Sequence, residues 1–287
     1  MDAPTTSGEK ITVMATPGVP VIRSVNWGGL RTLYVKEVRR FFKVHLQTIW
    51  APAATTLLFL VVFTVATGAK RPVQVGGVDI PFGDFIAPGL IISQGMMGPA
   101  FANASFSLLV GKIQGTIVDY LMPPLSTMEL LAALVGGAMT RAFIVGFIVW
   151  AAMALYGIGV WPQHLWAVVW FGFLGAAFLS LLGVLTSIWA DKFDHAAAVS
   201  NFVIIPLGLL SGTFYSVDRL APAFRTFSHA NPFFYIISGF RYGFLGHTDI
   251  ATVDSPILIG SIVVFGLDVV LALTCYWLLN KGWKIKS

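Results

Sequence analysis

The chain has 287 residues, of which 56% are hydrophobic and 11% charged, with 18 Lys and Arg against 13 Asp and Glu. A soluble globular domain carries about 25% charged residues, so a water-soluble enzyme or nucleic-acid-binding domain is excluded and a polytopic membrane protein is implied. The one cysteine, Cys275, excludes an intrachain disulfide and a thiolate metal cluster.

Residues 1–29 are polar and mixed, with Pro4, Pro17 and Pro20, and lack the apolar stretch of a signal peptide. They are expected to form a flexible cytoplasmic tail ahead of a membrane domain over 30–287. Residues 30–49 follow a helical pattern. Leu30, Leu33, Tyr34, Val38, Phe41, Phe42 and Ile49 recur every three or four residues, while Thr32, Lys36, Arg39, Arg40, Lys43 and Gln47 fall mostly opposite. A basic amphipathic helix of this kind suits the inner interface, where cations meet anionic lipid headgroups. Lys36, Glu37, Arg39, Arg40, Phe41 and Lys43 are its candidate functional residues; a plain positive-inside anchor is the alternative.

Apolar segments follow at 50–68, 85–110, 129–156, 165–190, 196–216 and 257–279. Each has about the 20 residues needed to cross a hydrocarbon core of roughly 30 Å. The predicted fold is therefore an all-α polytopic membrane protein with six transmembrane helices. Between spans 2 and 3, Lys112 to Glu129 is long for a linker. It offers a short helical stretch, then Pro123-Pro124, then Ser126 with Glu129 three residues on, the signature of a capping box. The third helix should thus start at 126 and run to 156, roughly 46 Å at 1.5 Å per residue, so its first turns should protrude. The protruding elbow fits either a groove on a soluble partner or a turn on the membrane surface.

Gly208 and Gly212 form a GxxxG in the fifth segment, a pattern that permits close helix approach but is common in Gly-rich membrane chains. About 35 residues then separate spans 5 and 6, and they are too broken to cross and too apolar for a free loop. They read as two half-helices, near 219–228 and 232–245, dipping into the outer leaflet as a re-entrant hairpin, or else as an amphipathic helix resting on the surface. Two ionisable residues fall inside apolar segments, Arg141 in the third and Asp268 in the sixth. Charges at such depth mark functional candidates, although Arg141 near a protruding end, and Asp268 as a protonated packing group, would be unremarkable.

Lys and Arg cluster before the first span and after the last, at Lys10 to Lys43 and at Lys281, Lys284 and Lys286. The positive-inside rule then puts both termini in the cytoplasm, with Lys70 and Arg71 as mild exceptions. Trp50, Trp189, Trp277 and Trp283 fall near inner boundaries, Trp161 and Trp166 near outer ones. No G-x-x-x-x-G-K-[ST] loop or H-E-x-x-H motif is present and the five histidines are scattered, so no phosphate cradle or metal site is expected.

A basic interfacial helix, six spans, a cytoplasmic elbow after span 2 and a hairpin before span 6 resemble the membrane subunit of ABC-2 type exporters. The run LSGTFYSVDRLAPAFRTFSHANPFFYIISGFRYGFLG, with Asn231-Pro232 and Gly239 to Gly243, is similar to the YadH-like branch of bacterial inner-membrane permeases. The resemblance covers about 30–285. It implies a half-transporter that pairs with a second copy and with a cytoplasmic ATPase subunit, which carries the ATP and Mg; no cofactor is expected on this chain. It makes 30–49 the connecting helix and 111–122 the coupling helix, with Lys112, Gln114, Asp119, Tyr120 and Met122 as docking residues. It also assigns Phe59, Phe63, Ser200, Asn201, Ile205 and Pro206 to the translocation path, and Phe214, Tyr215, Phe224, Phe234 and Arg241 to an outer gate. Spans 1 and 5 carry Phe with small polar groups such as Thr55 and no ring of charge, which favours an amphipathic or lipid-like cargo over a long glycan. An ion-coupled carrier would need intramembrane acids, of which Asp268 is almost the only one. A membrane enzyme would need a cluster of His, Asp or Glu at one depth.

Overall fold

The computed structural model describes residues 25–67, 72–75, 77–157, 161–215, 217, 221–247 and 256–284. The expected tail up to residue 24, and Lys70 and Arg71, lie outside the described residues. The first helix, α1 (Trp27–Lys43), starts three residues before the predicted 30 because Asn26 caps it, its side chain accepting from the Gly29 amide at 2.9 Å. It ends at Lys43, earlier than the predicted 49. Residues Leu46–Trp50 form a π turn that leads directly into α2 (Ala51–Thr67), so the end of the predicted interfacial helix belongs to the first span. Instead of only resting on lipid, α1 seats Leu33, Glu37 and Phe41 in the protein and packs along the third long helix.

A short antiparallel ribbon, β1 (Pro72–Val75) and β2 (Val78–Pro81), follows; it was not anticipated. Gly77 takes the left-handed conformation, φ 83°, at its turn. The second span is one long helical rod: α3 (Phe82–Leu90), a π turn at Ile91–Met97, and α4 (Gly98–Ile113). The elbow holds only one turn of helix, α5 (Val118–Leu121). Next comes α6 (Thr127–Leu155), which opens with the predicted capping box: Ser126 Oγ accepts from the Glu129 amide at 3.3 Å and Glu129 accepts from the Ser126 amide at 2.7 Å. The other carboxylate oxygen of Glu129 accepts from the Asn26 amide at 2.6 Å, so one side chain serves the starts of both α1 and α6.

The fourth span is α7 (Leu165–Trp189). The fifth predicted span, 196–216, is helical only through α8 (Phe193–Val199), a π turn at Ser200–Ile204 and α9 (Ile205–Leu209). That gives about 25 Å of helix, and the chain then turns through Gly212 at φ 77°. Among the described residues, five helices are long and apolar enough to cross a membrane, and Phe193–Leu209 is a shorter sixth. Two helices, α10 (Pro222–Ala230) and α11 (Pro232–Leu245), precede α12 (Pro256–Lys281).

The core is a stack of α4, α7 and α11 flanked by α6 and α12. Helix α4 approaches α7 closely because Gly183 has no side chain; a Cβ there would lie 2.7 Å from Ala104 Cβ and 2.8 Å from the Phe101 carbonyl. Burial is uneven. The most apolar stretch of the second span is 78% buried and that of the fourth 67%, against 22% for the first and 17% for the last. The first and last spans therefore present broad apolar faces, including Leu58, Val62, Phe265 and Val270, to surroundings outside the chain.

Candidate transport site

At the α1 end of the molecule, Glu37 is fully buried. It pairs with Arg40 at 2.9 Å and accepts hydrogen bonds from Ser107 Oγ at 2.9 Å and Tyr120 Oη at 3.2 Å. Its Cβ packs on Gly137, where an added methyl would lie 2.8 Å away. Arg40 also donates to the Asn103 carbonyl at 2.7 Å and to Ser107 Oγ at 2.9 Å, and Lys36 sits over the Tyr120 ring at 3.7 Å. Residues predicted for two separate roles, α1 and the elbow, thus form one polar network with α4. Burial and the neighbouring Glu37 carboxylate push the Tyr120 phenol well above its ordinary value. Phe41 is buried, whereas Arg39 and Lys43 are exposed along an open groove with Arg31 and Lys36.

The elbow residues divide. Lys112 turns inward, donating to the Ile188 and Ala190 carbonyls and lying 3.9 Å from Asp191, and Tyr120 is held by Glu37. Gln114, Asp119 and Met122 are exposed, together with Val118 and Leu121.

The three π turns, at 46–50, 91–97 and 200–204, bring polar side chains to one side of the molecule. A cavity of about 230 Å³ lies between the second span and α8–α9, lined by Gln94, Met97, Phe101, Ser200, Ile205 and Phe214, among others. A second, of about 320 Å³, is bordered by Gln47, Thr55, Thr56, Gln94, Ala102 and Arg141, with four further residues. Of the predicted path residues, Ser200 and Ile205 line the first cavity. Phe59 and Phe63 reach its edge by packing on Phe214, at 6.4 and 4.8 Å between ring centres. Asn201 is exposed and, like Pro206, lies outside the lining of both cavities. The residue that sequence reasoning passed over is Gln94, which borders both. The signal was visible as Ser93-Gln94 inside an otherwise apolar run.

At the opposite end, Arg241 is buried on α11, donates to the Gly212 carbonyl at 2.8 Å and stacks on the Phe85 ring at 4.0 Å. Asn231 donates to the Leu207 carbonyl at 2.7 Å and Ser228 to the Leu210 carbonyl at 3.0 Å. The short hairpin thereby satisfies carbonyls left open at the end of α9. Of the predicted gate residues, Phe214, Phe234 and Arg241 are packed in this region and Tyr215 donates to the Leu209 carbonyl at 3.2 Å. Phe224 stands apart on α10, 59% exposed. Arg141 and Asp268 do not meet. Arg141 donates to the Thr48 carbonyl at 3.0 and 3.2 Å, and among the described residues neither oxygen of the buried Asp268 carboxyl has a hydrogen-bond partner.

Long apolar helices around a packed core, with cavities between them and polar groups at helix irregularities, define an all-α, polytopic membrane protein. The family model described as ABC-2 type transporter matches residues 29–245, and the chain belongs to that family. It is 35% identical over 262 residues to the inner membrane transport permease YadH of Escherichia coli (strain K12), covering 91% of this chain and 98% of that one. It is also similar to nodulation protein J of Rhizobium leguminosarum bv. viciae, at 29% over 222 residues, covering 76% and 84% of the two chains. A further nodulation protein J, from R. leguminosarum bv. trifolii, is 28% identical over 244 residues, covering 84% and 87%. The chain is thus a membrane component of an ABC transporter, a family that implies an ATPase partner.

Proposed function

We propose that the chain is half of an ATP-driven exporter that moves an amphipathic small molecule out of the cytoplasm or inner leaflet. The observation that carries this reading is the meeting of three π turns, from the first, second and fifth membrane segments, on two adjoining cavities. The second cavity carries polar groups, Gln47, Gln94 and Arg141 among them, while Phe59, Phe202, Val203, Ile205 and Leu209 nearby are exposed and apolar. Such a face suits a second copy of the chain across a shared path that opens sideways to lipid. The termini and the elbow face the cytoplasm, where the exposed Gln114, Asp119 and Met122 meet the ATPase subunit, and the α10–α11 hairpin closes the outer end. Nucleotide-driven closure of the ATPase pair moves α1 and the elbow together, because Glu37 and Tyr120 join them.

The purified chain should hydrolyse no ATP alone and should acquire coupled hydrolysis with a separate ATPase subunit. In membranes holding both, Ser200→Trp should fill the cavity beside α9 and depress amphiphile-stimulated hydrolysis more than basal hydrolysis. Hydrolysis by the chain alone, or normal export by Ser200→Trp, would overturn the proposal.

A further inference from the structure

We infer that the cavity of about 320 Å³ between α2, the second span and α6 binds the anionic head of an amphiphile, a phosphate or carboxylate, with Arg141 as counter-charge and Gln47 and Gln94 as amide donors. This rests on the export reading and names the class of molecule exported.

Three observations support it. Arg141 is 8% exposed, yet no carboxylate pairs with it among the described residues; its guanidinium meets only the Thr48 carbonyl. A buried cation without a counter-ion is costly unless water or an anion reaches it, and the cavity is where either can arrive. The side chains of Gln47 and Gln94 make no hydrogen bond among the described residues, while Thr55 and Thr56 already donate to the Ala51 and Pro52 carbonyls. The groups with hydrogen-bonding capacity left at this cavity are thus two amides and the donors of Arg141 beyond those spent on Thr48, and among the described residues no acid borders it. Finally, the cavity adjoins the apolar one along Gln94, Gly98 and Ala102, where Met97, Phe101, Ile205 and Leu209 offer a place for a hydrocarbon tail. A head beside Arg141 and a chain toward α9 match the two environments.

The test uses the full chain in phosphatidylcholine nanodiscs and a dodecyl phosphate carrying a diazirine near the head. Cross-links are expected in peptides 47–56 and 94–102, competed by dodecyl phosphate about tenfold better than by dodecyltrimethylammonium. Arg141→Gln should abolish them and Arg141→Lys should keep them. In case Arg141 variants fail to fold, the exposed Gln47 provides a second lever: Gln47→Glu should weaken cross-linking about tenfold and Gln47→Lys should strengthen it. Equal competition by both amphiphiles, or indifference to both Gln47 variants, overturns the inference. Phosphatidylglycerol nanodiscs separate the sources. Loss of cross-linking there, with no amphiphile-stimulated hydrolysis when the ATPase subunit is present, overturns the cargo assignment and makes the occupant a resident lipid. Head-selective cross-linking without any coupled ATPase would instead defeat the export reading and leave the anion site standing.

Discussion

Glu37 and Arg141 are both charged, both almost fully buried, and carried on helices that pack together at the same end of the molecule, yet their surroundings differ. Glu37 is answered inside the chain by Arg40, Ser107 and Tyr120, drawn from α1, α4 and α5. Arg141 is answered by one carbonyl and then by an open cavity. A charge neutralised within the fold ties elements together; one left over at a cavity wall is available to something that comes and goes. The first is architecture and the second is what the inferred anion site would use, although both would appear in a sequence as an isolated charge in an apolar setting.

The largest expected effect comes from breaking the closed network. Glu37→Ala strips Arg40, Ser107 and Tyr120 of their shared acceptor and, because Arg40 keeps 29% of its side chain exposed, should cost about 2–3 kcal/mol; the thermal unfolding of the detergent-purified chain measures it. Stability equal to the parent would mean that the network contributes nothing. Arg141→Met should cost less, about 1–2 kcal/mol, because it loses hydrogen bonds to the Thr48 carbonyl but no ion pair. If Arg141→Met destabilises as much as Glu37→Ala, the contrast between the two charges fails. Tyr120→Phe removes one hydrogen bond to Glu37 and should cost about 1 kcal/mol, with a measurable drop in co-purification of the ATPase subunit if the elbow and α1 move as a unit.

The smallest effect lies at the surface. The hydrogen bond from Lys284 holds the Asp191 carboxyl below its ordinary value. Its stabilisation is therefore complete above the ordinary carboxylate range and is lost as pH falls through the lowered value. Asp191→Asn should lower the melting temperature slightly at neutral pH, leave it unchanged at low pH and so flatten that acid-side loss in a pH series of melting curves; an undiminished acid-side slope would show that the pair is not its source.

The helical membrane class was legible because long apolar runs have few other homes, and the capping box at Ser126 and Glu129 was legible because it is local. Glu37 was not. Its pattern position marks it as one more charge on a basic helix, and the hydroxyls that justify its burial lie 70 and 83 residues further on. The π turns left no trace in periodicity, since one added residue shifts a face without breaking the helix. They account for the misplaced end of the predicted interfacial helix and for overlooking Gln94. The ribbon at 72–81 was missed although Gly76-Gly77 between valines is a hairpin signal, because its strands are too short to stand out beside the spans. Phe224 and Phe234 looked alike in sequence as aromatic hairpin residues, but only Phe234 is covered, because α11 is packed on α3 and α7 while α10 lies outside that stack.

The shared carboxylate of Glu129 also sets an order of events. The Asn26 amide that it receives is made 103 residues earlier, and a chain emerging from the ribosome folds from its first residues onward. When α1 appears, neither the acceptor for its first turn nor the hydroxyls for Glu37 yet exist, so it must wait at a wet surface with that carboxylate hydrated. Only after the second span, the elbow and the start of α6 have been delivered can α1 dock, and all its partners then arrive within one short stretch of synthesis. Assembly of this end of the protein is therefore a late closure of finished parts, and a nascent chain halted before residue 129 would carry α1 undocked, with Glu37 still open to water.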